Sequence, residues 1–318
     1  MQRHYGATHV LSFTDADEPS IGAGDVLVRV RAAGVDPGVW HLTAGLPYMI
    51  RLMGYGLRAP KQPVPGLDVA GVVEQVGDAV TRLQVGDEVF GTATGSFAEL
   101  ARADAGKLAR KAADLSFEDA AAMPVSGTTA LQAVRDKGQV KEGQRVAVLG
   151  AGGGVGHLAV QIAKAYGAVV TGVCSTGKVG FVESLGADRV VDRTREDFAS
   201  SGPYEVVLDS AGRRPVSQLR RAITSRGTLV IIGGEGGNRW TGGFERQLLA
   251  AGFSLFLGQH LRSLIAKDNF EDLDVLTRLI QDGKLKPTVD RTFPLAAAAD
   301  AIEYVHTGAV RGKVVLTV

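Results

Sequence analysis

The run Val146-Ala147-Val148-Leu149-Gly150-Ala151-Gly152-Gly153-Gly154-Val155-Gly156-His157-Leu158-Ala159-Val160 constrains this chain most. An apolar strand, a glycine-rich turn and an amphipathic helix follow in that order. Ala151, Gly153 and Gly156 occupy the three positions of a G-x-G-x-x-G pattern. The first position makes the tight turn, the second lets backbone N–H groups approach a pyrophosphate, and the third lets helix and strand pack closely. Gly152, Gly154 and Val155 complete the loop, and the helix N-terminus adds orphan donors and partial positive charge. The run reads as a dinucleotide phosphate site.

Around it, residues 145–233 alternate apolar strands with helical stretches, the signature of a parallel sheet covered on both faces. The expected strands are Val146–Leu149, Val169–Val173, Arg189–Val191, Val206–Leu208 and Leu229–Ile232, with a further apolar run at Phe253–Leu257. Helices are expected at His157–Tyr166, Val216–Thr224 and Leu273–Ile280. Residues 25–91 instead read as short β segments (Val26–Val30, Val69–Val76, Glu88–Phe90) with little helical periodicity. Small and apolar residues at helical spacing from Phe117 to Val134, interrupted by Pro124 and Gly127, lead into the second region. Gly312-Lys313-Val314-Val315-Leu316 reads as a closing strand.

The end of the second strand of a dinucleotide fold selects the cofactor, because NAD enzymes place an acid there against the ribose hydroxyls. Here stands Val173-Cys174-Ser175-Thr176-Gly177-Lys178, without an acid. Ser175 and Lys178, joined by Arg193, suit a 2′-phosphate through charge-assisted hydrogen bonds, which points to NADPH; the alternative is that Lys178 is an ordinary solvated lysine. Asp209, Ser210, Gly233 and Gly234 follow the fourth and fifth strands, where doubly wound sheets bind ligands. A formal net charge of +1 implies neither nucleic acid nor an anionic membrane as partner. A run of about 20 apolar residues is absent, and Met1–Gly6 shows no apolar signal region, so the cytoplasm is the expected compartment.

The chain resembles the zinc-free quinone oxidoreductase branch of the medium-chain dehydrogenase/reductase superfamily along essentially its whole length. The landmarks are Ala32-Ala33-Gly34-Val35-Asp36-Pro37, Pro65-Gly66-Leu67-Asp68-Val69-Ala70-Gly71-Val72-Val73, Gly86-Asp87-Glu88-Val89-Phe90-Gly91, Gly95-Ser96-Phe97-Ala98-Glu99, Pro124-Val125-Ser126-Gly127-Thr128-Thr129-Ala130-Leu131, the glycine turn and Gly312-Lys313. The resemblance implies an α/β fold: a GroES-like β domain (1–122) with the substrate site, a doubly wound Rossmann domain for NADPH (123–257), and a return to the first domain (258–318). A homodimer is the expected assembly. Zinc-dependent members of the superfamily put Cys at Asp36, a His-Glu pair near Leu67 and Asp68, and four clustered cysteines in a structural lobe. This chain has Cys174 alone, and His41 and His260 do not complete a tetrahedral set.

The chemistry then expected is hydride transfer to an already electrophilic carbon of a small apolar quinone or enone, with the protein aligning the cofactor. By resemblance, Thr128 is the nicotinamide-side hydroxyl, and a helix N-cap role is compatible with it. Tyr48, near Trp40 and His41, resembles a cleft tyrosine that protonates or anchors the substrate oxygen; as a plain aromatic lining it would leave the proton to water or the ribose. Many relatives have Asn where Asp36 stands, and an acid beside the nicotinamide alters the local charge. Lys313 is expected either to approach the cofactor or to lie on the surface. Cys174 falls at the adenosine end, too far for nucleophilic chemistry. Residues 49–61 are apolar and basic and read as a substrate cover, with Met49, Leu52, Met53 and Tyr55 on the ligand and Arg51 and Arg58 in water, or else as a dimer contact or core packing. The alternative functions are a 2-enoyl thioester reductase and a non-catalytic NADPH-binding sensor. Activity is expected to survive exhaustive EDTA treatment with no stoichiometric zinc by elemental analysis; a bound equivalent whose removal abolishes turnover would overturn the metal-free reading.

Overall fold

The computed structural model describes residues 1–233, 237–243, 245–247, 250 and 258–318. The strands are β1 Asp25–Val35, β2 Asp68–Val76, β3 Glu88–Thr92, β4 Leu100–Asp104, β5 Leu108–Arg110, β6 Arg145–Leu149, β7 Val169–Cys174, β8 Arg189–Asp192, β9 Tyr204–Asp209, β10 Ile223–Ile231, β11 His260–Ser263, β12 Val289–Pro294 and β13 Lys313–Thr317. Two compact units result. One comprises residues 1–128, 268–278 and 287–318, the other 129–267 and 279–286.

In the first unit, among the described residues, a mixed sheet runs β12-β13-β1-β2-β3-β5, with β4 also on β1. β1 is its spine: eleven residues long, it pairs antiparallel with β13, β2 and β4. Its core is mostly β-branched or small, including Val26, Val28, Val30, Ala33, Val69, Val89 and Val314. Such side chains pack well on a pleated surface.

The second unit holds a parallel sheet in the order β11-β10-β9-β6-β7-β8. Counted along the chain from β6, this is the order 3-2-1-4-5-6 of a doubly wound dinucleotide fold, with its switch point between β6 and β9. Strands buried on both faces need near-continuous apolar residues, and β6 and β9 supply them.

Several elements differ from the sequence reading. A helix at Pro37–Ala44 stands where helical periodicity was scarce; Pro37 takes its first position, where the missing N–H costs nothing, and Gly45 ends it in the left-handed region at φ 62°. The helix expected to reach Thr224 ends at Arg221, because Ile223 already pairs with Tyr204 of β9. Pro124 opens a new helix, Pro124–Gln132, and Gly127 lies inside it. The first unit runs to Thr128 rather than 122, so that helix carries the chain from one unit into the next. Residues 258–267 stay with the parallel sheet, because β11 adds to β10 from Thr228↔His260 to Ile231↔Ser263. The Phe253–Leu257 run lies outside the described residues.

Leu208, fully buried at the centre of β9, reports on the second unit. Leu208→Ala is expected to cost about 2–5 kcal/mol, because β-strands on both sides prevent the cavity from collapsing; chemical denaturation measures it.

Candidate active site

Gly150, not Ala151, makes the phosphate turn. Its φ is +78°, so the left-handed residue falls one position before the motif and Ala151 is tolerated, fully buried. Gly150 N and Ala151 N donate to Val173 O at 3.0 and 3.1 Å, tying the turn to β7. Gly153 is the N-cap of the helix Gly154–Ala165 and has no side chain with which to cap it. The first-turn N–H groups of Gly154, Val155 and Gly156 therefore point outward with the helix dipole. A Cβ on Gly156 would strike the Gly150 carbonyl oxygen, so glycine is required there. This cradle fits a pyrophosphate.

The switch point adjoins it. Ser210 Oγ donates to Leu149 O at 2.7 Å, which sets the start of the β9 loop against the glycine turn. The Asp209 carboxylate does not line a groove, as the sequence suggested: it is fully buried, ion-paired with Arg246, and accepts from Gly212 N at 3.1 Å. Its backbone oxygen receives Gly233 N at 3.1 Å. Gly234 lies outside the described residues.

Lys178 lies along the turn. An added Cβ on Gly152 would come within 2.8 Å of Lys178 Cδ, and Lys178 Nζ is 3.5 Å from Gly152 O. Ser175 is half-buried and opens the short turn that carries Lys178, while Arg193 is exposed one residue past β8. Sequence reading missed Asp192, which the β7–β8 register sets opposite Cys174. Its carboxylate accepts Thr176 Oγ1 at 2.6 Å, Thr194 Oγ1 at 2.7 Å and Thr194 N at 3.0 Å, and these bonds hold its pKa below the usual range. Burial, with Asp192 nearby, pushes the Cys174 thiol up to about 11, so it stays a thiol at neutral pH.

In the first unit the structure gathers Asp36, Asp68, Ser126 and Lys313. The β1–β13 register, ending at Val35↔Val314, brings Asp36 level with Lys313. Lys313 is not on the surface: 2% exposed, its ammonium bonds both Asp36 Oδ1 and Asp68 Oδ2, the latter at 2.9 Å. Ser126 Oγ donates to Asp36 Oδ1 at 3.0 Å, and Val125 N to Asp68 Oδ1 at 2.8 Å. Burial resists ionising Asp36, but Lys313 and hydrogen bonds from Asp68, Lys313 and Ser126 outweigh it and keep its pKa low. Burial and the Asp36 charge drive Asp68 well above the carboxylate range. For Lys313 the two carboxylates outweigh burial and raise its pKa. The cluster sets one ammonium between two acidic side chains, so the Asp36 carboxylate has its counter-charge within the cluster. Asp68 and Ser126 were not singled out from the sequence; their only signal was membership of two motifs.

Thr128, 2% exposed, is the fifth residue of the helix Pro124–Gln132 and so not its N-cap. Tyr48 is half-buried with Arg51 4.9 Å from its ring centroid. Arg51 does not face water as expected: it is also 4.4 Å from the Tyr5 ring centroid, and its Nε donates to Gly45 O at 2.8 Å. Leu52, Met53 and Tyr55 are exposed, which removes core packing as their role. His41 Nδ1 donates to Leu46 O at 2.9 Å and so stabilises the turn after its own helix, while Trp40 stacks on His306. A zinc ion does not fit this donor set: the two carboxylates already hold an ammonium, and among the described residues no three His, Cys, Asp or Glu side chains cluster.

Two family models match: "Alcohol dehydrogenase GroES-like domain" over residues 22–113 and "Zinc-binding dehydrogenase" over 185–316. The 2-methylene-furan-3-one reductase of Solanum lycopersicum is 32% identical, over 98% of this chain and 76% of its own. The chloroplastic NADPH-dependent alkenal/one oxidoreductase of Arabidopsis thaliana is 32% identical over 98% and 77%. The solved quinone oxidoreductase from Coxiella burnetii superposes with a TM-score of 0.85 at 28% identity, over 100% of this chain and 98% of its own.

Gly156→Ala is expected to cost about 1–3 kcal/mol in denaturant unfolding, because the new methyl must displace backbone. Gly177→Ala, where a Cβ meets nothing within 4 Å, serves as the control and should stay within about 0.5 kcal/mol of the parent.

Proposed function

We infer the reaction from lineage and turn chemistry together: the chain belongs to the zinc-free quinone oxidoreductase branch of the medium-chain dehydrogenase/reductase superfamily, and its substrate is a quinone or α,β-unsaturated carbonyl compound reduced at the expense of NADPH. The observation that carries the cofactor choice is Lys178 laid along Gly152, with Ser175 beside it and no carboxylate between residues 173 and 178. A nearby acid, Asp192, is engaged by Thr176, Thr194 and, at 3.5 Å, Arg195. A 2′-phosphate would meet the cations Lys178 and Arg193 there.

The bound nicotinamide supplies the hydride. The residues of this chain do the rest: the glycine turn and the helix from Gly154 hold the pyrophosphate, Lys178 and Ser175 hold the 2′-phosphate, and Thr128 orients the nicotinamide end. Tyr48 anchors the carbonyl oxygen. The exposed Leu52, Met53 and Tyr55 form an adaptable cover for an apolar substrate, which suits quinones and enones better than polar ligands. The same proposal takes the protein as a cytoplasmic homodimer; among the described residues no helix is long and apolar enough to cross a membrane.

The test is consumption of NADPH and NADH against a panel of quinones, enones and enoyl thioesters, with light scattering for assembly. Enones and quinones should turn over with NADPH. Preference for thioesters identifies an enoyl thioester reductase instead, and binding without turnover identifies a sensor. In calorimetry Lys178→Ala should narrow the NADPH-over-NADH preference by about 1–3 kcal/mol, the worth of a hydrogen bond to a charged group; equal affinity of the parent for both cofactors overturns the cofactor choice.

A further inference from the structure

The helix Pro124–Gln132 begins without a local cap, because neither Met123 nor Pro124 carries a side-chain acceptor. Its cap is remote. Asp68, at the first residue of β2, accepts Val125 N at 2.8 Å, and Asp36, just past β1, accepts Ser126 Oγ at 3.0 Å. Lys313, the first residue of β13, joins the two acids and lies 3.4 Å from Ser126 Oγ. Asp36 sits at an N-cap position of its own, before Pro37, yet makes no cap there and turns to Lys313 and Ser126 instead.

The surrounding backbone is shaped to admit this cluster. A Cβ on Gly34 would lie 2.6 Å from Asp68 Oδ2 and would strike the Ala121 carbonyl. Gly312, at φ +77°, turns the chain so that Lys313 enters from β13. Buried ion clusters add little net stability over apolar side chains of equal volume, but removing one member is strongly destabilising, because it leaves a buried charge without its partner.

We propose that Lys313 is a positioning residue: clamped between Asp36 and Asp68, it fixes the first turn of the helix Pro124–Gln132 and thereby the Thr128 hydroxyl two residues beyond Ser126. The part concerning Thr128 rests on the nicotinamide role given above; the part concerning the helix does not.

Two measurements separate them. Hydrogen exchange of the cofactor-free protein reads the helix directly. In the neutral triple variant Asp36→Asn/Asp68→Asn/Lys313→Met, amides 125–129 should exchange at least about tenfold faster, with those of β9 unchanged, as expected for local opening. Unchanged exchange at 125–129 overturns the clamp. If the triple variant does not fold, Asp68→Asn alone, which keeps the ammonium and weakens the cap, is read in the same way. The second measurement is a double-mutant cycle on NADPH-dependent enone reduction. If Lys313 acts through Thr128, the triple variant should lower kcat about tenfold or more in the parent but less than about twofold on a Thr128→Ala background, while the KM for enone holds, because coupled residues are not additive. Additive losses, or no loss in the parent background, overturn the positioning role. A parent that neither binds NADPH nor reduces enones defeats the functional reading while leaving the exchange result to decide the clamp.

Discussion

Four stretches far apart in the chain meet at one ammonium. The end of β1, the start of β2, the first turn of the helix Pro124–Gln132 and the start of β13 all bond to, or through, Lys313 Nζ. A buried charge demands partners, and each partner here is tied to backbone that the sheet has already placed. β1 carries Asp36 because it is the spine on which β13, β2 and β4 pair. The chain's C-terminal return is therefore a structural requirement of the first unit, since without β13 two acids would lie buried without a counter-cation.

The second unit is organised by a different constraint, the close approach of backbone to backbone. Gly156 lets the helix Gly154–Ala165 descend onto the Gly150 carbonyl, and Gly150 supplies the left-handed turn. Neither depends on charge. At its rim Lys178 leans along the turn and Asp192 is withdrawn into bonds with two threonines. The glycine turn is thus built from conformational freedom and its rim from a few charged side chains, which explains why the turn is so much more recognisable than the rim.

That difference governs how much could be read in advance. The glycine turn, the parallel strands and the closing strand were legible because glycine freedom and apolar periodicity act over a few residues. The helix Pro37–Ala44 was overlooked although Pro37 and Gly45 bracket it, because its apolar stripe is too short to show a period. Asp192 went unnoticed because β8 brings it beside the end of β7 from 18 residues away. The contacts of Arg51 with the Tyr5 and Tyr48 rings are not legible either, because no local pattern reveals them.

The sequence by itself determined the two fold types, the phosphate turn, the lack of a multi-thiolate metal site and the cation at the end of β7, all consequences of residue type at short spacing. Tertiary structure decided what the charged side chains do. Asp36 and Lys313, read as cofactor contacts, are partners of each other and of Asp68; Asp209 belongs to Arg246 rather than to a groove. The reason is electrostatic. A charge inside a protein takes whichever opposite charge the fold delivers, and for Asp36, Asp68 and Lys313 that delivery depends on strand register between residues 277 and 245 positions apart, which no local pattern encodes.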